Sequence, residues 1–306
     1  MEIKLEGLKK YYGSFCAVNG VSFCFSSGKL MALVGRNGSG KTTTIRTLLR
    51  LLKKDGGKIL VNGKEAKLDL KNVGYLAEER GMFLKETVLD QLVFFAALKG
   101  VEKKQALKGI DYWLEKLEIS QYKKSYLESL SKGNQQKVQM VACLVHNPDV
   151  IIFDEPFSGL DPVNMKLVMS LLRQFKEDGK CVLVSSHQLA LIEEVCDEVT
   201  IINKSNIMYT GTIDELKAKH AKKYVTLTLN KEISMPKELN AIKKRELSYI
   251  VNLDSREAED LNLFLRKVIN YNLPISSIER GQETLQDIFL GIVGEEDTES
   301  QSQEES

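Results

Sequence analysis

Gly35-Arg36-Asn37-Gly38-Ser39-Gly40-Lys41-Thr42 fits the pattern G-x-x-x-x-G-K-[ST], whose backbone N–H groups cradle phosphate oxygens. An unbroken apolar run, Leu30–Val34, stands just before it, as expected of a buried parallel strand. Behind it, apolar residues spaced i, i+3, i+4 and i+7 predict one face of a helix: Ile45, Leu48, Leu49 and Leu52. The breakers Asp55-Gly56-Gly57 are expected to end that helix, with Lys53 and Lys54 in its last turn.

The chemistry of this loop favours a triphosphate ligand. Its glycines let the main chain approach phosphate oxygens, and the following helix N-terminus adds positive partial charge. Lys41 is expected to bridge the β- and γ-phosphates, and the Thr42 hydroxyl to hold Mg²⁺. Chance alone gives roughly one such match in a hundred chains of this length. The predicted nucleotide-binding residues of the loop are Gly35, Arg36, Asn37, Gly38, Ser39, Gly40, Lys41, Thr42 and Thr43.

The overall composition argues against several classes of protein. The 306 residues include 43 basic and 42 acidic side chains, a balance that does not suit a nucleic-acid binder acting through bulk electrostatics. The five cysteines form no C-x-x-C pair and predict ordinary reduced thiols. Charged and apolar residues alternate over residues 1–6, which predicts a strand and not a signal peptide. No apolar stretch reaches the roughly 18 residues of a membrane span, so we expect the polypeptide not to cross a bilayer.

The order of predicted elements indicates an α/β domain over residues 1–220. Further strands are predicted at 2–7, 20–25, 58–62, 150–153, 181–185, 199–202 and 207–209. Apolar residues at helical spacing predict a helical subdomain over about residues 87–147. Asp161 as cap and Pro162 at the first helical position are expected to open another helix.

The pattern changes after residue 220. Alternating apolar residues predict strands near 225–229, 249–253 and 275–278, and helical stripes begin at Leu261 and Leu285. Residues 221–294 are therefore expected to form a small α+β domain. The last segment, residues 295–306, carries six acids and no base, which predicts a disordered tail.

Two carboxylates, Asp154 and Glu155, end the predicted strand at 150–153. At the C-terminal edge of a parallel sheet such a pair faces the nucleotide crevice. Asp154 is expected to contact Mg²⁺, directly or through water, and Glu155 to act as general base on the attacking water. The alternative is a strand end that merely faces solvent, and the phosphate loop upstream argues against it.

The segment Leu130-Ser131-Lys132-Gly133-Asn134-Gln135-Gln136-Lys137 is, by composition, a capped helix start. With this segment in place between the loop and the carboxylates, residues 2–220 resemble the nucleotide-binding subunit of an ATP-binding cassette (ABC) transporter. The resemblance implies a P-loop NTPase fold of ABC type, with a parallel core sheet, an antiparallel β subdomain and a helical subdomain. A small α+β C-terminal domain follows. ATP is then the substrate, with Mg²⁺ as its cofactor.

The resemblance alone gives further roles near the nucleotide. Tyr12 is similar to the aromatic residue that stacks on adenine, and Tyr11 is the competing candidate. His187 matches the switch histidine that contacts the γ-phosphate. No role is assigned to His146 or His220.

The same resemblance implies a second subunit. The family signature, usually L-S-G-G-Q, reaches the γ-phosphate of the partner's nucleotide in a head-to-tail dimer. In this chain it is formed by Ser131, Lys132, Gly133 and Asn134. Asp161, at the end of Ser158-Gly159-Leu160-Asp161, matches the loop that couples the two sites.

Three residues depart from the common family pattern. Glu78 stands where many members have the glutamine that touches Mg²⁺ and relays closure to the membrane partner. A carboxylate can still bind Mg²⁺ through oxygen, although it adds negative charge near the phosphates. Lys132 replaces a signature glycine and Asn134 replaces its glutamine. With these three departures, the chain resembles a subgroup of exporter ATPases, the NatA-like proteins that act on sodium, peptides or antibiotics. The C-terminal domain fits that subgroup as an accessory domain.

The leading functional hypothesis is an ATPase that powers a separate membrane permease, with export as the direction. It would act with a second copy or a related cassette, on the cytoplasmic face of the membrane. The permease is expected to dock on residues 87–130, where Val93, Phe94 and Phe95 give the first helix an apolar surface; the alternative is that these residues are core. The transported substrate would be selected by the permease.

Other classes of P-loop protein remain as alternatives. A soluble ABC-type ATPase of translation carries two cassettes in tandem, and this chain has one phosphate loop. A repair ATPase carries a long coiled coil, and residues 43–130 contain no sustained heptads. A small-molecule kinase would not explain the presence of the signature or of His187. A non-hydrolysing regulatory cassette is disfavoured by the intact Lys41, Asp154 and Glu155.

Overall fold

A computed structural model describes residues 1–79, 81–220, 223–253, 257 and 261–304, with side chains described up to residue 294. The chain divides into two compact units, Met1–Ile213 and Asp214–Ser306, which we call the first and the second unit. The predicted domain limits at residues 220 and 294 stay predictions, because a compact unit need not coincide with a domain.

The first unit is built on two sheets. Its strands are β1 (Glu2–Tyr12), β2 (Phe15–Ser26), β3 (Leu30–Val34), β4 (Gly56–Val61), β5 (Lys64–Glu65), β6 (Val73–Leu76), β7 (Val150–Asp154), β8 (Cys181–Ser186), β9 (Glu198–Asn203) and β10 (Asn206–Thr212). One sheet is antiparallel with the order β2-β1-β4-β5. The other has the order β10-β9-β3-β8-β7-β6 and is parallel except for β10 at its edge.

The core of the first unit lies between these two sheets. Every residue of β3, β7 and β8 is buried, as continuous apolar runs in a parallel sheet predict. From the antiparallel sheet, Leu5 and Phe25 pack in the same apolar cluster as Leu33 of the parallel sheet. Ile45, from the helix after the phosphate loop, completes this cluster and fixes the loop against the sheet.

Helices cover the rest of the first unit. They are α1 (Lys41–Leu48), α2 (Val88–Leu98), α3 (Lys103–Lys116), α4 (Lys132–Leu144), α5 (Pro162–Glu177), α6 (Leu189–Val195) and α7 (Ile213–His220), the last of which spans the division between the units. Asp161 caps α5 by accepting a hydrogen bond from Asn164 N at 2.9 Å, and Pro162 begins the helix as predicted. These elements confirm the predicted arrangement of a parallel core sheet, an antiparallel subdomain and a helical subdomain.

The predicted length of α1 is wrong. The helix ends at Leu48, so Leu52 and the two lysines after it lie outside. Arg50 takes a left-handed conformation with φ 60°. Its N–H donates to Thr47 O at 3.0 Å, and Leu51 N donates to Arg46 O at 2.9 Å, which is the Schellman pattern that closes a helix. Gly56 and Gly57 then begin β4 instead of ending the helix.

The second unit is a small antiparallel sheet with helices. Its elements are β11 (Lys223–Leu229), β12 (Ile242–Arg245), β13 (Ser248–Asn252), α8 (Leu261–Asn270), β14 (Ile275–Gln282) and α9 (Leu285–Glu304). The strand order is β12-β13-β11-β14. Phe264 and Val268 of α8 pack on Val225, Leu227 and Val251. The predicted disordered tail at residues 295–306 stays a prediction. Its side chains and residues 305–306 lie outside the described residues, while the backbone of α9 is helical to Glu304.

No helix in the described part of the chain is both long and apolar enough to span a bilayer. The five cysteines are all free, as the sequence predicts. Sequence reasoning missed β5, β6, β12, α6 and α7, each of which has eight residues or fewer. Of these, β6 matters for function because it leads directly to Glu78.

Candidate nucleotide-binding site

The phosphate loop has the backbone that its glycines predict. Gly40 has φ +106°, and a Cβ added there would lie 2.5 Å from Ala17 O, so only glycine fits. It forms the N-terminus of α1, where no side chain caps the free N–H groups. These donors therefore point into the space in front of the loop, which is the geometry of an anion site.

Lys41 extends back over the loop that precedes it. Its Nζ donates to Gly35 O at 2.8 Å and to Arg36 O at 3.3 Å, and lies 3.9 Å from Glu155 Oε1. The side chain is buried, and burial lowers its pKa, while the neighbouring carboxylates of Glu155, Asp154 and Glu78 oppose that shift. A buried cation held by carbonyls is available to an incoming anion.

Asp154 and Glu155 sit at the C-terminal end of β7, and both are buried. Asp154 accepts hydrogen bonds from the hydroxyls of Ser185 and Thr42. Burial nevertheless raises the pKa of Asp154 above its ordinary value. Its Oδ2 is buried without a hydrogen-bond partner, which is unusual for a carboxylate oxygen. An atom of this kind indicates a place for a ligand.

The backbone of Glu155 is strained. Its φ is 53°, in the left-handed region that few non-glycine residues occupy. The conformation is held from two sides: Glu155 N donates to Ser185 O at 3.1 Å, and Gln136 Nε2 donates to Glu155 O at 3.3 Å and to Pro156 O at 2.9 Å. The strand end is therefore fixed by the neighbouring strand and by α4.

His187 lies next to Glu155. Its Nδ1 is 2.9 Å from Glu155 Oε2, while about half of the imidazole side chain is exposed. The contact is short, and Oε2 has no other polar partner among the described residues. The structure thus brings the predicted switch histidine to the predicted general base.

A cleft of about 490 Å³ opens over these groups. Its lining comprises Tyr12, Phe15, Ala17, Asn37, Gly38, Ser39, Gly40, Lys41, Thr42, Thr43, Glu78 and Glu155. Tyr12 is therefore placed at the cleft, and its competitor Tyr11 does not line it. Phe15, which sequence reasoning missed, adds a second exposed ring beside Tyr12. A cavity of about 530 Å³ between the end of α1 and β5 contains none of the predicted site residues.

The residues present fit a magnesium ion shared with a phosphate. Among the described residues, no three His, Cys, Asp or Glu side chains gather into a metal site of their own. Mg²⁺ does not need such a cage, because it is usually held by one or two carboxylates together with substrate phosphates and water. Asp154 Oδ2 and the Thr42 hydroxyl beside it are donors of the right type.

The signature stands apart from this cleft. Ser131 caps α4 by accepting a hydrogen bond from Asn134 N at 3.3 Å, and both Ser131 and Lys132 are exposed. Gly133 lies beside Gly159 and Leu160, so the signature is adjacent to the loop that ends in Asp161. None of these residues lines the cleft of their own chain.

Comparison with known proteins agrees with this geometry. A family model described as ABC transporter matches residues 18–158. The protein named uncharacterized ABC transporter ATP-binding protein YhaQ, of Bacillus subtilis, is 36% identical over 294 residues, which cover 95% of this chain and 98% of that protein. The chain belongs to the ATP-binding subunits of ABC transporters. Like other members, it binds ATP and is an ATPase.

Further matches support this ABC ATPase assignment. The bacitracin transport ATP-binding protein BcrA of Bacillus licheniformis is 31% identical over 302 residues, with 95% of this chain and 97% of that protein covered. A solved structure titled as the ATP-binding subunit of an ABC transporter has a TM-score of 0.65 at 26% identity, covering 72% of this chain and 93% of that chain. Residues 211–293 match a model described as the C-terminal domain of DrrA1-3-like ATP-binding proteins. The translation and DNA-repair alternative gains no support from these relatives.

Sequence reasoning missed Ser185 and Gln136. Ser185 pairs with Asp154 across the parallel strands β7 and β8, and this adjacency depends on the strand order. Gln136 lies two residues after the signature, and its contact with Glu155 spans 19 residues of sequence. The only signal for Ser185 is a polar residue at the end of an apolar strand, and Gln136 has none.

Proposed function

We propose that this ABC ATPase powers a separate membrane permease through head-to-tail closure with a second ATP-binding subunit. The observation that carries the proposal is the single cleft that Lys41, Glu155 and the N-terminus of α1 share. The cleft has fixed N–H donors and a buried cation for a triphosphate, with a carboxylate beside them.

Each side chain at the cleft has a proposed task. Lys41 exchanges its loop carbonyls for β- and γ-phosphate oxygens, and Tyr12 with Phe15 offers aromatic surface to adenine. Glu155 accepts a proton from the attacking water as the bond from the γ-phosphorus to the leaving ADP oxygen breaks. His187 holds Glu155 in place and faces the γ-phosphate.

Thr42 and Asp154 are the proposed magnesium ligands, and Glu78 lies on the same cleft. When bound, Mg²⁺ offsets the negative charge of the phosphates. Burial raises the pKa of Asp154 in the protein alone, so a cation at its free oxygen would restore the ionised form.

A second subunit is proposed because the signature is exposed and does not line the cleft of its own chain. Another copy, or a related cassette, would present Ser131, Lys132, Gly133 and Asn134 to the γ-phosphate. Lys132 then adds a cation where the common signature has glycine. Asp161, beside the signature, would link the two nucleotide sites.

The proposed permease contact is an aromatic cluster formed by Phe83, Phe94 and Phe95, whose ring centroids are 5.6 to 6.0 Å apart. Phe83 and Phe94 are about half exposed, while Val93 and Phe95 are less exposed. An exposed aromatic patch of this kind is typical of an interaction site. A cytoplasmic segment of the permease is the proposed occupant. Export is proposed because the chain resembles the NatA-like exporter ATPases, whose accessory domain fits residues 211–293.

The test is the substitution Glu155→Gln, which keeps the shape of the side chain and removes its basicity. We expect turnover to fall by about 10²-fold or more while affinity for Mg·ATP stays within a few-fold. Steady-state phosphate release and equilibrium binding of ATP measure the two quantities. Glu79→Gln is the matched control, since Glu79 is exposed and does not line the cleft. Unchanged turnover in Glu155→Gln removes Glu155 as the base, and absence of Mg·ATP affinity in the unaltered protein removes the proposed function.

A further inference from the structure

Side chains of a neighbouring helix cover the edge of β6 that has no neighbouring strand in the described part of the chain. This strand stands at the end of the parallel sheet, so its outer carbonyls have no neighbouring strand in the described part of the chain. Carbonyls of alternate residues point to the same side of a strand. The carbonyls of Val73 and Tyr75 in β6, and of Ala77 directly after it, form such a row, and each has a hydrogen-bond partner from a side chain.

The partners lie along one face of α4 and its continuation. Gln139 Nε2 donates to Ala77 O at 3.0 Å, Cys143 Sγ to Tyr75 O at 2.9 Å, and His146 Nε2 lies 3.1 Å from Val73 O. The spacing of i, i+4 and i+7 is that of one helix face. These three contacts fasten the helix to the strand edge along the full length of β6.

The contact between helix and strand is close and specific. A Cβ added to Gly74 would lie 2.5 Å from Cys143 O, so glycine alone permits this approach of β6 to α4. Lys99 Nζ adds a further hydrogen bond to Val73 O at 2.8 Å. Burial lowers the pKa of His146 to about 4, so its ring is neutral at physiological pH.

The fastened elements connect two parts of the ATPase site. Glu78, at the nucleotide cleft, follows Ala77 directly, and α4 begins at the signature residue Ser131. Gln139 is buried, and its hydrogen bond is the one nearest to Glu78. We propose that Gln139 is a positioning residue that ties the Glu78 loop to the signature helix, so that the two move together when nucleotide binds.

This inference rests on the proposed function, and it adds a route between the two nucleotide sites. A shift of Glu78 caused by the nucleotide in its own cleft would be transmitted through Ala77 and Gln139 to α4. The signature at the start of that helix serves the nucleotide of the other subunit. Loss of this hydrogen bond should therefore change the magnesium dependence of turnover and the cooperativity of ATP saturation, beyond any loss of stability.

The experiment uses the purified full-length ATPase with the substitution Gln139→Met, which keeps the length of the side chain and removes the N–H donor. We expect the Mg²⁺ concentration for half-maximal turnover to rise by about three- to tenfold, the change that loss of one hydrogen bond gives. The cooperativity of ATP saturation is expected to fall. Gln139→Lys restores an N–H donor and should bring the magnesium dependence back toward that of the unaltered protein.

The matched control is Cys143→Ala, on the same helix face and the same strand edge but one contact farther from Glu78. It should lower the thermal midpoint and leave magnesium dependence and cooperativity unchanged. If Gln139→Met does no more than this control, Gln139 is merely structural and the proposal is overturned. An undiminished effect of Gln139→Met in a Glu78→Ala background overturns it too, because the route would then bypass Glu78. Absence of hydrolysis in the unaltered protein instead refutes the proposed function itself.

Discussion

The two units of this ATPase differ in what they bury. Among the described residues, the buried side-chain atoms without a hydrogen-bond partner all belong to the first unit, and Asp154 Oδ2 is one of them. The core of the second unit is apolar: Val225, Leu227, Leu239, Val251, Phe264 and Val268. Burying an unpaired polar group destabilises a fold, whereas burying apolar surface stabilises it. Burial of Asp154 Oδ2 without a hydrogen bond therefore costs the first unit stability at its nucleotide site, whereas the core cluster of the second unit is stabilised by apolar packing.

The largest expected effect tests the independence of the apolar core. Phe264 is fully buried, so Phe264→Ala should destabilise the second unit by about 3–5 kcal/mol through lost burial and a cavity. ATP affinity should stay within twofold, because the nucleotide cleft is lined by residues of the first unit. Scanning calorimetry and nucleotide titration measure the two quantities. Ile269→Ala, at an exposed position on the same helix, is the control and should change neither. A collapse of ATP affinity in Phe264→Ala would contradict the separation of the units.

The next effect tests whether the site costs the first unit stability. Burial raises the pKa of Asp154, so its ionised form destabilises the nucleotide-free protein above that pKa, and the cost is relieved as pH falls. Asp154→Asn should therefore raise the thermal midpoint at pH 7, by about 2–4 °C for each kcal/mol recovered, and abolish stabilisation by Mg·ATP. Thermal melts with and without Mg·ATP give both results.

The control for that experiment lies at the opposite end of the same strand. A hydrogen bond from Asn72 lowers the pKa of Asp149, so its ionised form stabilises the fold above the unfolded pKa, and this stability is lost as pH falls. Asp149→Asn should thus lower the midpoint slightly at pH 7. Equal signs for the two substitutions would refute the distinction between a structural and a functional carboxylate.

The smallest expected effect on stability concerns the exposed aromatic cluster of the first unit. Phe94 is about half exposed and contacts two neighbouring rings, so Phe94→Asp should lower the free energy of unfolding by about 1 kcal/mol. The fraction of the ATPase that sediments with its native membranes should nevertheless fall, because a charge would be placed in the proposed contact with the permease. Tyr112→Asp, at an exposed aromatic position on α3, is the control and should retain membrane binding. Equal sedimentation of Phe94→Asp and the unaltered protein would rule out this surface.

Sequence reasoning reached the parts of the site that are local in the chain. The phosphate loop, the carboxylates at the end of β7 and the cap of α5 each depend on a few consecutive residues, and the structure has all three. The end of α1 was predicted too late, because the glycines at 56 and 57 were a stronger sequence signal than Arg50. Arg50 is not a typical residue for the left-handed conformation that closes the helix.

The parts that sequence reasoning missed depend on residues far apart in the chain. Phe15 comes to the cleft because β2 pairs with β1 beside Tyr12. Gln139 meets Ala77 across 62 residues of sequence, directly after the strand β6 at the edge of the sheet. No periodicity or motif in a single sequence records which strand lies at an edge.

By itself, the sequence determined that the ATPase holds a phosphate loop with a helix behind it and two acids at a strand end. These features follow from local backbone preferences and from the identity of neighbouring side chains. The tertiary structure alone decided that Lys41 lies 3.9 Å from Glu155, that His187 reaches the same carboxylate, and that Phe15 joins Tyr12 at the cleft. The reason is physical: strand order and helix packing are set by the burial of apolar surface over the whole unit, and they determine which distant polar groups meet.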